Sequence, residues 1–264
     1  MRYTHGHHPS VLRSHSNRTV ENSAAYAAAE FRPGLRVLDV GSGPGTITAD
    51  IARRVAPGLV VALEATSEAA QLTKREVHRQ HITNVKVEVG DAHSLTFEGG
   101  SFDVVHAHQV LQHLHDPVQA LREMGRVCKP GGKVAVRDSD YASFSWFPLM
   151  PELDEWLELY SRAARANGGE PDAGRRLLAW AHEAGFSDVV ATSSTWCYAT
   201  PETRNWWGHM WAERILRSAL ADQLLTERRA TPADLQRISD GWLGWAADPD
   251  GWFSLLHGEL VITV

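Results

Sequence analysis

Short apolar runs alternate with segments of helical periodicity over roughly the first 140 residues of the chain. The runs predict five strands, at 35–40, 59–65, 85–91, 102–108 and 133–140, the first of them buried. Between the first two, Ile47, Ile51 and Val55 recur every four residues, which predicts a helix. Further helices are predicted at 66–80 and 117–127. Strands that alternate with helices in this way indicate right-handed βαβ units and a parallel sheet.

The second half of the chain has a different pattern, because all ten tryptophans lie between Trp146 and Trp252. Helical periodicity covers 151–167, 172–184 and 201–247, and apolar runs predict strands at 188–199 and 251–264. The predicted fold class is therefore α/β. We expect a Rossmann-like, seven-stranded, mostly parallel sheet with helices on both faces and a helical, Trp-rich lid insertion before the last strand.

Composition limits the class of protein further. The chain is 43% hydrophobic, enough for a sizeable core, and its formal charge of −6 argues against a nucleic-acid partner. Cys128 and Cys197 lie far apart, which favours a reducing compartment and predicts no disulfide framework or zinc site. Without a signal-like or membrane-spanning apolar run, a cytoplasmic protein with no membrane partner is expected.

A glycine turn follows the first predicted strand and is the first candidate site. Gly41, Gly43 and Gly45 allow positive φ and a close approach of a ligand to the backbone. The third position of a dinucleotide fingerprint is Thr46, and the Lys-Ser/Thr pair of a phosphate loop is absent from the sequence. Asp39 stands two residues before the turn and suits a ligand with a positive end rather than a pyrophosphate.

Acidic residues end three successive predicted strands: Asp39, Glu64 and Asp91. Ligands of open α/β sheets bind at these carboxyl ends, where Glu64 suits the two hydroxyls of a ribose and Asp91 an adenine amine. For any one of these residues alone, a role as a turn or cap former would be favoured. Three in sequence beside a glycine turn favour a nucleoside site.

Five motifs occur in order: "VLDVGSGPGTIT", "LEA", "GDAHSL", "FDVVHAHQVLQHLHDP" and "LREMGRVCKPGGKVAV". This series resembles that of class I S-adenosylmethionine-dependent methyltransferases of the UbiE-like group (type 11/25), over roughly residues 30–140. Glu64 stands where the family often has Asp, and Ser42 where it often has Cys. The resemblance implies an enzyme that uses S-adenosyl-L-methionine and releases S-adenosyl-L-homocysteine.

The resemblance also implies cofactor contacts at the strand ends. Gly41 and Gly43 would lie against the methionine portion, Glu64 on the ribose, Asp91 and Ala92 around the adenine, and the carbonyl of His108 on the methionine amino group. Asp39 joins this cofactor-binding set as the carboxylate beside the turn.

Methyl transfer from a sulfonium needs a general base only if the nucleophile carries a proton. Candidate catalytic residues near the strand ends are His108, His113, Asp138 and Tyr141. The structural alternatives are a packed helix histidine at His113 and a turn former at Asp138. The expected acceptor is a small, partly apolar molecule, and the Ala- and Arg-rich composition favours natural-product tailoring as the setting.

The predicted organisation is a single methyltransferase domain over 1–264. It comprises an N-terminal lid segment at 1–30, a cofactor-binding sheet core at 31–200, a helical insertion at 201–250 and a last strand at 251–264. Four histidines near the N-terminus are interpreted as part of the lid rather than as a metal site or a solvated tail. Because ten tryptophans exceed what packing a small insertion needs, some are expected to line the acceptor pocket.

Two other functions stay open. A relative of the same fold could bind S-adenosylmethionine and catalyse a non-methylating reaction such as a cyclisation. A non-catalytic, cofactor-bound partner protein is the second alternative, and it would present a flat exposed patch rather than a closed aromatic pocket.

Overall fold

The structure is a computed structural model that describes residues 17–264. These residues form two compact units. The sheet unit consists of 17–138, 173–193 and 257–264, and the aromatic unit of 139–172 and 194–256.

Nine α-helices and eight strands are assigned in the described part of the chain. The helices are α1 (Val20–Ser23), α2 (Thr46–Val55), α3 (Ser67–Arg79), α4 (Pro117–Val127), α5 (Pro151–Ala166), α6 (Leu177–Ala184), α7 (Pro201–Arg217), α8 (Ala219–Thr226) and α9 (Pro232–Ala247). The strands are β1 (Arg36–Val40), β2 (Leu59–Glu64), β3 (Val85–Val89), β4 (Phe102–His108), β5 (Cys128–Ser139), β6 (Ser145–Phe147), β7 (Val189–Tyr198) and β8 (Trp252–Thr263).

The strands of the sheet unit follow the order β3-β2-β1-β4-β5-β8, with β7 also paired to β8. Strands β1 to β5 pair in parallel, as the alternation of strands and helices predicts. In register, Asp39 lies beside His106, and His108 beside Arg137. The mostly parallel Rossmann-like fold expected from the sequence is confirmed.

The two faces of this sheet differ, because alternate residues of a strand point to opposite faces. Leu38, Val105 and Val136 belong to the apolar core on one face. The other face combines an apolar cluster that includes Val37 and Val104 with a buried polar row. That row is formed by Asp39, His106, His108, Arg137, His257 and Glu259.

Side-chain caps mark the starts of helices α3 and α4. The Thr66 hydroxyl accepts from the Ala69 N–H at 3.2 Å at the start of α3. The Asp116 carboxylate accepts from the Gln119 N–H at 2.8 Å at the start of α4, where a proline occupies the first turn. Helix α4 begins at the predicted residue, and α3 begins one residue later, directly after its cap Thr66.

Several predicted boundaries were wrong. Strand β5 begins at Cys128 rather than at residue 133, and its pairing with β4 shifts register between Phe102 and Val104. Helix α6 begins at Leu177 rather than at residue 172, after a 3₁₀ turn. The helical segment 201–247 is three helices, and the three-residue β6 was missed.

The aromatic unit has its own core, centred on Trp156. The rings of Trp211 and Trp242 meet it edge-on, with centroids at 4.5 Å and 4.9 Å. In the same unit, β6 pairs antiparallel with the first part of β8. Six of the ten tryptophans are buried in this core: Trp146, Trp156, Trp207, Trp211, Trp242 and Trp245. Packing therefore accounts for most of them, and their number alone does not argue for a pocket.

Among the described helices, none combines the length and apolar character that a membrane crossing requires.

Candidate cofactor and methyl-transfer site

The three glycines of the turn after β1 have three different surroundings. A Cβ at Gly41 would lie 2.4 Å from Val110 Cγ2, and one at Gly45 would lie 3.0 Å from the Thr73 backbone. Packing within the protein therefore explains these two glycines. At Gly43, with φ +56°, a Cβ would meet nothing within 4 Å among the described residues. Gly43 is thus the position where open space lies against bare backbone.

Glu64 holds this turn together at the end of β2. One carboxylate oxygen accepts a short hydrogen bond from the Gly43 N–H and lies 3.5 Å from the Ser42 hydroxyl. The other accepts from the Ala65 N–H at 3.3 Å. The Thr73 hydroxyl completes the turn, because it donates to the Gly43 carbonyl at 2.8 Å. Glu64, the residue predicted to bind the ribose, is therefore adjacent to Gly43.

Asp39 lies beneath the turn and has defined partners within the sheet unit. Its two oxygens bond to His106 Nδ1 at 2.8 Å and to the Thr48 hydroxyl at 2.6 Å. Because both oxygens have partners, direct contact of Asp39 with a positive ligand stays a prediction.

Asp91 follows β3 and is exposed. It accepts from the backbone N–H of His93 at 2.9 Å and bonds its ring Nδ1 at 2.7 Å. The backbone bond first, and then the ring bond, hold the pKa of Asp91 below its usual value. Its neighbour Ala92 packs against the apolar core of the sheet unit. An ionised acceptor at this strand end suits an exocyclic amine.

His108 ends β4 in a buried position, with its ring stacked 6.4 Å from that of His257. Burial, and then the charge of Arg18, lower the pKa of His108 well below 6.5, so the ring is neutral at pH 7. The next residue, Gln109, has φ +55° and bonds His257 Nε2 at 3.0 Å and Arg18 Nη2 at 2.5 Å.

Asp138 and His113, two of the candidate bases, are linked through Gln112. The fully buried Asp138 carboxyl accepts from the Gln112 backbone N–H at 3.0 Å, and the Gln112 side chain meets His113 Nε2 at 3.0 Å. The second Asp138 oxygen, Oδ2, has no hydrogen-bond partner among the described residues. Burial raises the pKa of Asp138 to about 7, whereas burial and Arg18 lower that of His113 to about 4.

This geometry coincides with a family match. Residues 31–206 match the methyltransferase domain family. The chain belongs to the class I S-adenosylmethionine-dependent methyltransferases. The enzyme class and the cofactor that the motifs imply are thereby confirmed.

Two relatives are similar in sequence, and one solved structure is similar in fold. An uncharacterized methyltransferase of Schizosaccharomyces pombe is 34% identical over 268 residues, which cover 98% of this chain and 95% of the relative. The ubiquinone/menaquinone biosynthesis C-methyltransferase UbiE of Idiomarina loihiensis is 35% identical over 132 residues, covering 49% and 50% of the two chains. The solved structure of the YcgJ protein of Bacillus subtilis has a TM-score of 0.59 at 19% identity, with 97% and 99% of the chains covered.

Two further predictions about this methyltransferase concern other parts of the chain. Tyr141 belongs to the aromatic unit, where its ring stacks on Tyr160 at 4.1 Å and tilts against Phe144 at 4.4 Å. The role of Tyr141 as a candidate base stays a prediction. The N-terminal histidines lie in residues 1–16, outside the described part of the chain.

Sequence patterns missed several residues of the polar row in this methyltransferase. Arg137 Nε donates to Glu259 at 3.0 Å, and both side chains are buried. Thr192 donates to the second Glu259 oxygen at 3.0 Å. The signal available in the sequence was the presence of charged residues within otherwise apolar strands, as in "VAVRD" and "HGELVI".

Proposed function

We propose that this methyltransferase transfers the methyl group of S-adenosylmethionine to a small, partly apolar molecule whose nucleophilic atom carries a proton, and that Asp138 removes that proton. The observation that carries the proposal is the buried Asp138 carboxyl at the end of β5. One of its oxygens is held by the Gln112 N–H, and the other has no partner among the residues described. A free oxygen on a fixed carboxyl is the geometry that a general base needs.

The residues of the glycine turn fit the cofactor. Gly43 offers open space against its backbone, and the Glu64 carboxylate lies beside it as an acceptor for ribose hydroxyls. Asp91, which is held ionised, suits the adenine amine. When bound, the cofactor supplies an activated methyl group, so the protein's contribution is to position the acceptor, exclude water and accept a proton.

Asp138 is a better base than either histidine because a general base works best with a pKa near the working pH. Burial raises the pKa of Asp138 to about 7. The pKa of His113 falls to about 4, and that of His108 is also well below its ordinary 6.5. Both imidazoles are therefore weak bases at neutral pH.

In this proposal, His113 acts as a hydrogen-bond donor rather than as a base. In the orientation assigned to Gln112, its side-chain amide faces His113 Nε2, so this nitrogen accepts the hydrogen bond and Nδ1 carries the proton. The backbone N–H of the same Gln112 fixes Asp138. One residue thereby orients both the base and a neutral imidazole donor.

The proposal is tested with a panel of phenols, enols and quinols, with S-adenosylhomocysteine formation followed by mass spectrometry. For an accepted substrate, log(kcat/KM) of the wild type should rise with pH and level off above about 7, the pKa of Asp138. Asp138→Asn should lose this rise and at least tenfold in rate, while Asp222→Asn, on an exposed part of α8, serves as the matched control. An unchanged pH profile in Asp138→Asn would contradict the assignment.

Product analysis separates this function from the alternatives. A cyclase of the same fold converts its substrate without forming S-adenosylhomocysteine, and a non-catalytic partner protein converts nothing. The small-molecule acceptor, the lid role of the N-terminal segment and of the helical insertion, and a cytoplasmic location belong to the same proposal.

A further inference from the structure

Tyr26 is a partly buried residue with a buried hydroxyl. It lies in the 3₁₀ turn Ala25–Glu30, and its ring packs against the apolar cluster that includes Val37 and Val104. Its hydroxyl is shielded from solvent and has no partner among residues 17–264. Because an unsatisfied buried hydroxyl destabilises a protein, a phenylalanine would suit the folded chain better.

The position of Tyr26 relative to the sheet follows from the strand register. Val37 and Val104 alternate along their strands with Asp39 and His106, so these side chains share the face that Tyr26 covers. His108 and Arg137 lie on the same face, nearer the carboxyl ends of β4 and β5. Tyr26 therefore covers the face of the sheet that carries the buried polar row.

The charges around the Tyr26 hydroxyl favour a cation. Arg137 supplies one positive charge, and carboxyl groups act on the hydroxyl from Glu259, Asp138 and Asp39. Burial first, and then these carboxyls against the opposing effect of Arg137, raise the pKa of Tyr26. The group is thus a neutral phenol whose oxygen can accept a hydrogen bond. Among the groups that act on it, there are three carboxyls and one guanidinium.

We propose that the Tyr26 hydroxyl accepts a hydrogen bond from the α-ammonium group of the methionine portion of the cofactor. The assignment rests on the proposed function, because it needs S-adenosylmethionine in the site of the sheet unit. An ammonium group has three donors, and the His108 carbonyl implied by the family resemblance takes only one of them. Tyr26 therefore gives the methyltransferase a second contact to this group.

Tyr26→Phe tests the proposal, since it removes one oxygen and keeps the ring. Calorimetric titrations would compare three ligands: S-adenosylhomocysteine, its decarboxylated analogue, which keeps the amine, and 5′-methylthioadenosine, which lacks both groups. We expect Tyr26→Phe to bind the first two about tenfold more weakly and the third with unchanged affinity. Tyr198→Phe, in the aromatic unit, is the control and should leave all three affinities unchanged.

Stability of the ligand-free protein provides a second readout. Because the hydroxyl has no partner to lose among the described residues, Tyr26→Phe should unfold at an equal or higher denaturant concentration than the wild type. A clear loss of stability would mean that the hydroxyl has a structural role and would overturn the proposal.

The remaining outcomes are also decisive. An affinity loss with S-adenosylhomocysteine but not with the decarboxylated analogue would assign Tyr26 to the carboxylate and overturn the ammonium contact. Equal affinities of variant and wild type for all three ligands would overturn any contact with the amino-acid end. If the wild type binds none of the ligands, the proposed function itself fails, and the Tyr26 assignment fails with it.

Discussion

Replacing Asp138 with asparagine should change how the stability of the protein depends on pH. Burial raises the pKa of the Asp138 carboxyl from its ordinary 3.8 to about 7 in the folded chain. The folded state therefore binds a proton more tightly than the unfolded state between these two values. The stabilising contribution of this proton is fully present below pH 3.8 and is lost as the pH rises through about 7.

The size of the effect follows from this shift. A difference of about 3 pKa units corresponds to about 4 kcal/mol over the whole titration, at ~1.4 kcal/mol per unit. Between pH 5 and pH 8, the part of the titration accessible to experiment, the free energy of unfolding should fall by about 2 to 3 kcal/mol through this group alone. Asparagine does not titrate and keeps an acceptor for the Gln112 N–H, so the variant should not show this fall.

Urea unfolding of the wild type and Asp138→Asn at pH 5, 6, 7 and 8 measures the effect, because other titrating groups cancel in the difference between the two proteins. The free energy of unfolding of Asp138→Asn, relative to that of the wild type, should rise steadily with pH. Asp234→Asn is the control. Hydrogen bonds from Thr231 lower the pKa of Asp234 to about 2, so the stability that ionised Asp234 contributes is lost only in acid. The difference in free energy of unfolding between Asp234→Asn and the wild type should therefore stay constant from pH 5 to pH 8. An Asp138→Asn difference that is independent of pH would refute the raised pKa, and with it the choice of Asp138 as base.

Two other predictions concern the glycine turn. Glu64→Gln should weaken S-adenosylhomocysteine binding at least tenfold in calorimetry, because charge-assisted bonds to the ribose contribute about 1.5–3 kcal/mol each. Glu68→Gln, the same change at an exposed site in the first turn of α3, should bind normally; equal affinities of the two variants would reject the ribose assignment. Gly43→Asn should abolish binding while the circular dichroism spectrum stays native, since asparagine tolerates positive φ. Gly34→Asn, at φ +87° in equally open space before β1, is its matched control, and binding by Gly43→Asn would show that the ligand does not cross this backbone.

Hydrophobic periodicity was sufficient to predict most of this fold, because β1, β2 and β4 are mostly buried runs and helices such as α3 and α4 carry side-chain caps. Strand β4 and helix α4 have the bounds that the sequence predicts. The start of β5 was missed because Pro130-Gly131-Gly132 has the local signature of a turn, whereas β5 pairs with β4 on both sides of it, at Cys128 and again from Lys133, across a register shift. Pairing with a distant strand thus overrode a local preference.

The sequence predicted the site residues that lie at strand ends, but not those whose contacts appear only in the folded chain. Glu64 and Asp91 were found because each lies at the end of a predicted strand, which places it at the ligand edge of a parallel sheet. Gln109 and His257 were missed because their contact joins residues 148 positions apart. Tyr26 was missed because what distinguishes it is a hydroxyl without a partner among the described residues, which only the folded structure reveals.

The buried pair of Arg137 and Glu259 has a consequence for the evolution of this chain. The two residues lie 122 positions apart, yet neither can change alone without leaving an unpaired charge inside the protein, which costs about 3–5 kcal/mol. Replacing both with apolar residues of similar volume is far less damaging. The two positions should therefore be inherited together, so that homologues keep both charges or neither, and a redesign of the last strand must include β5.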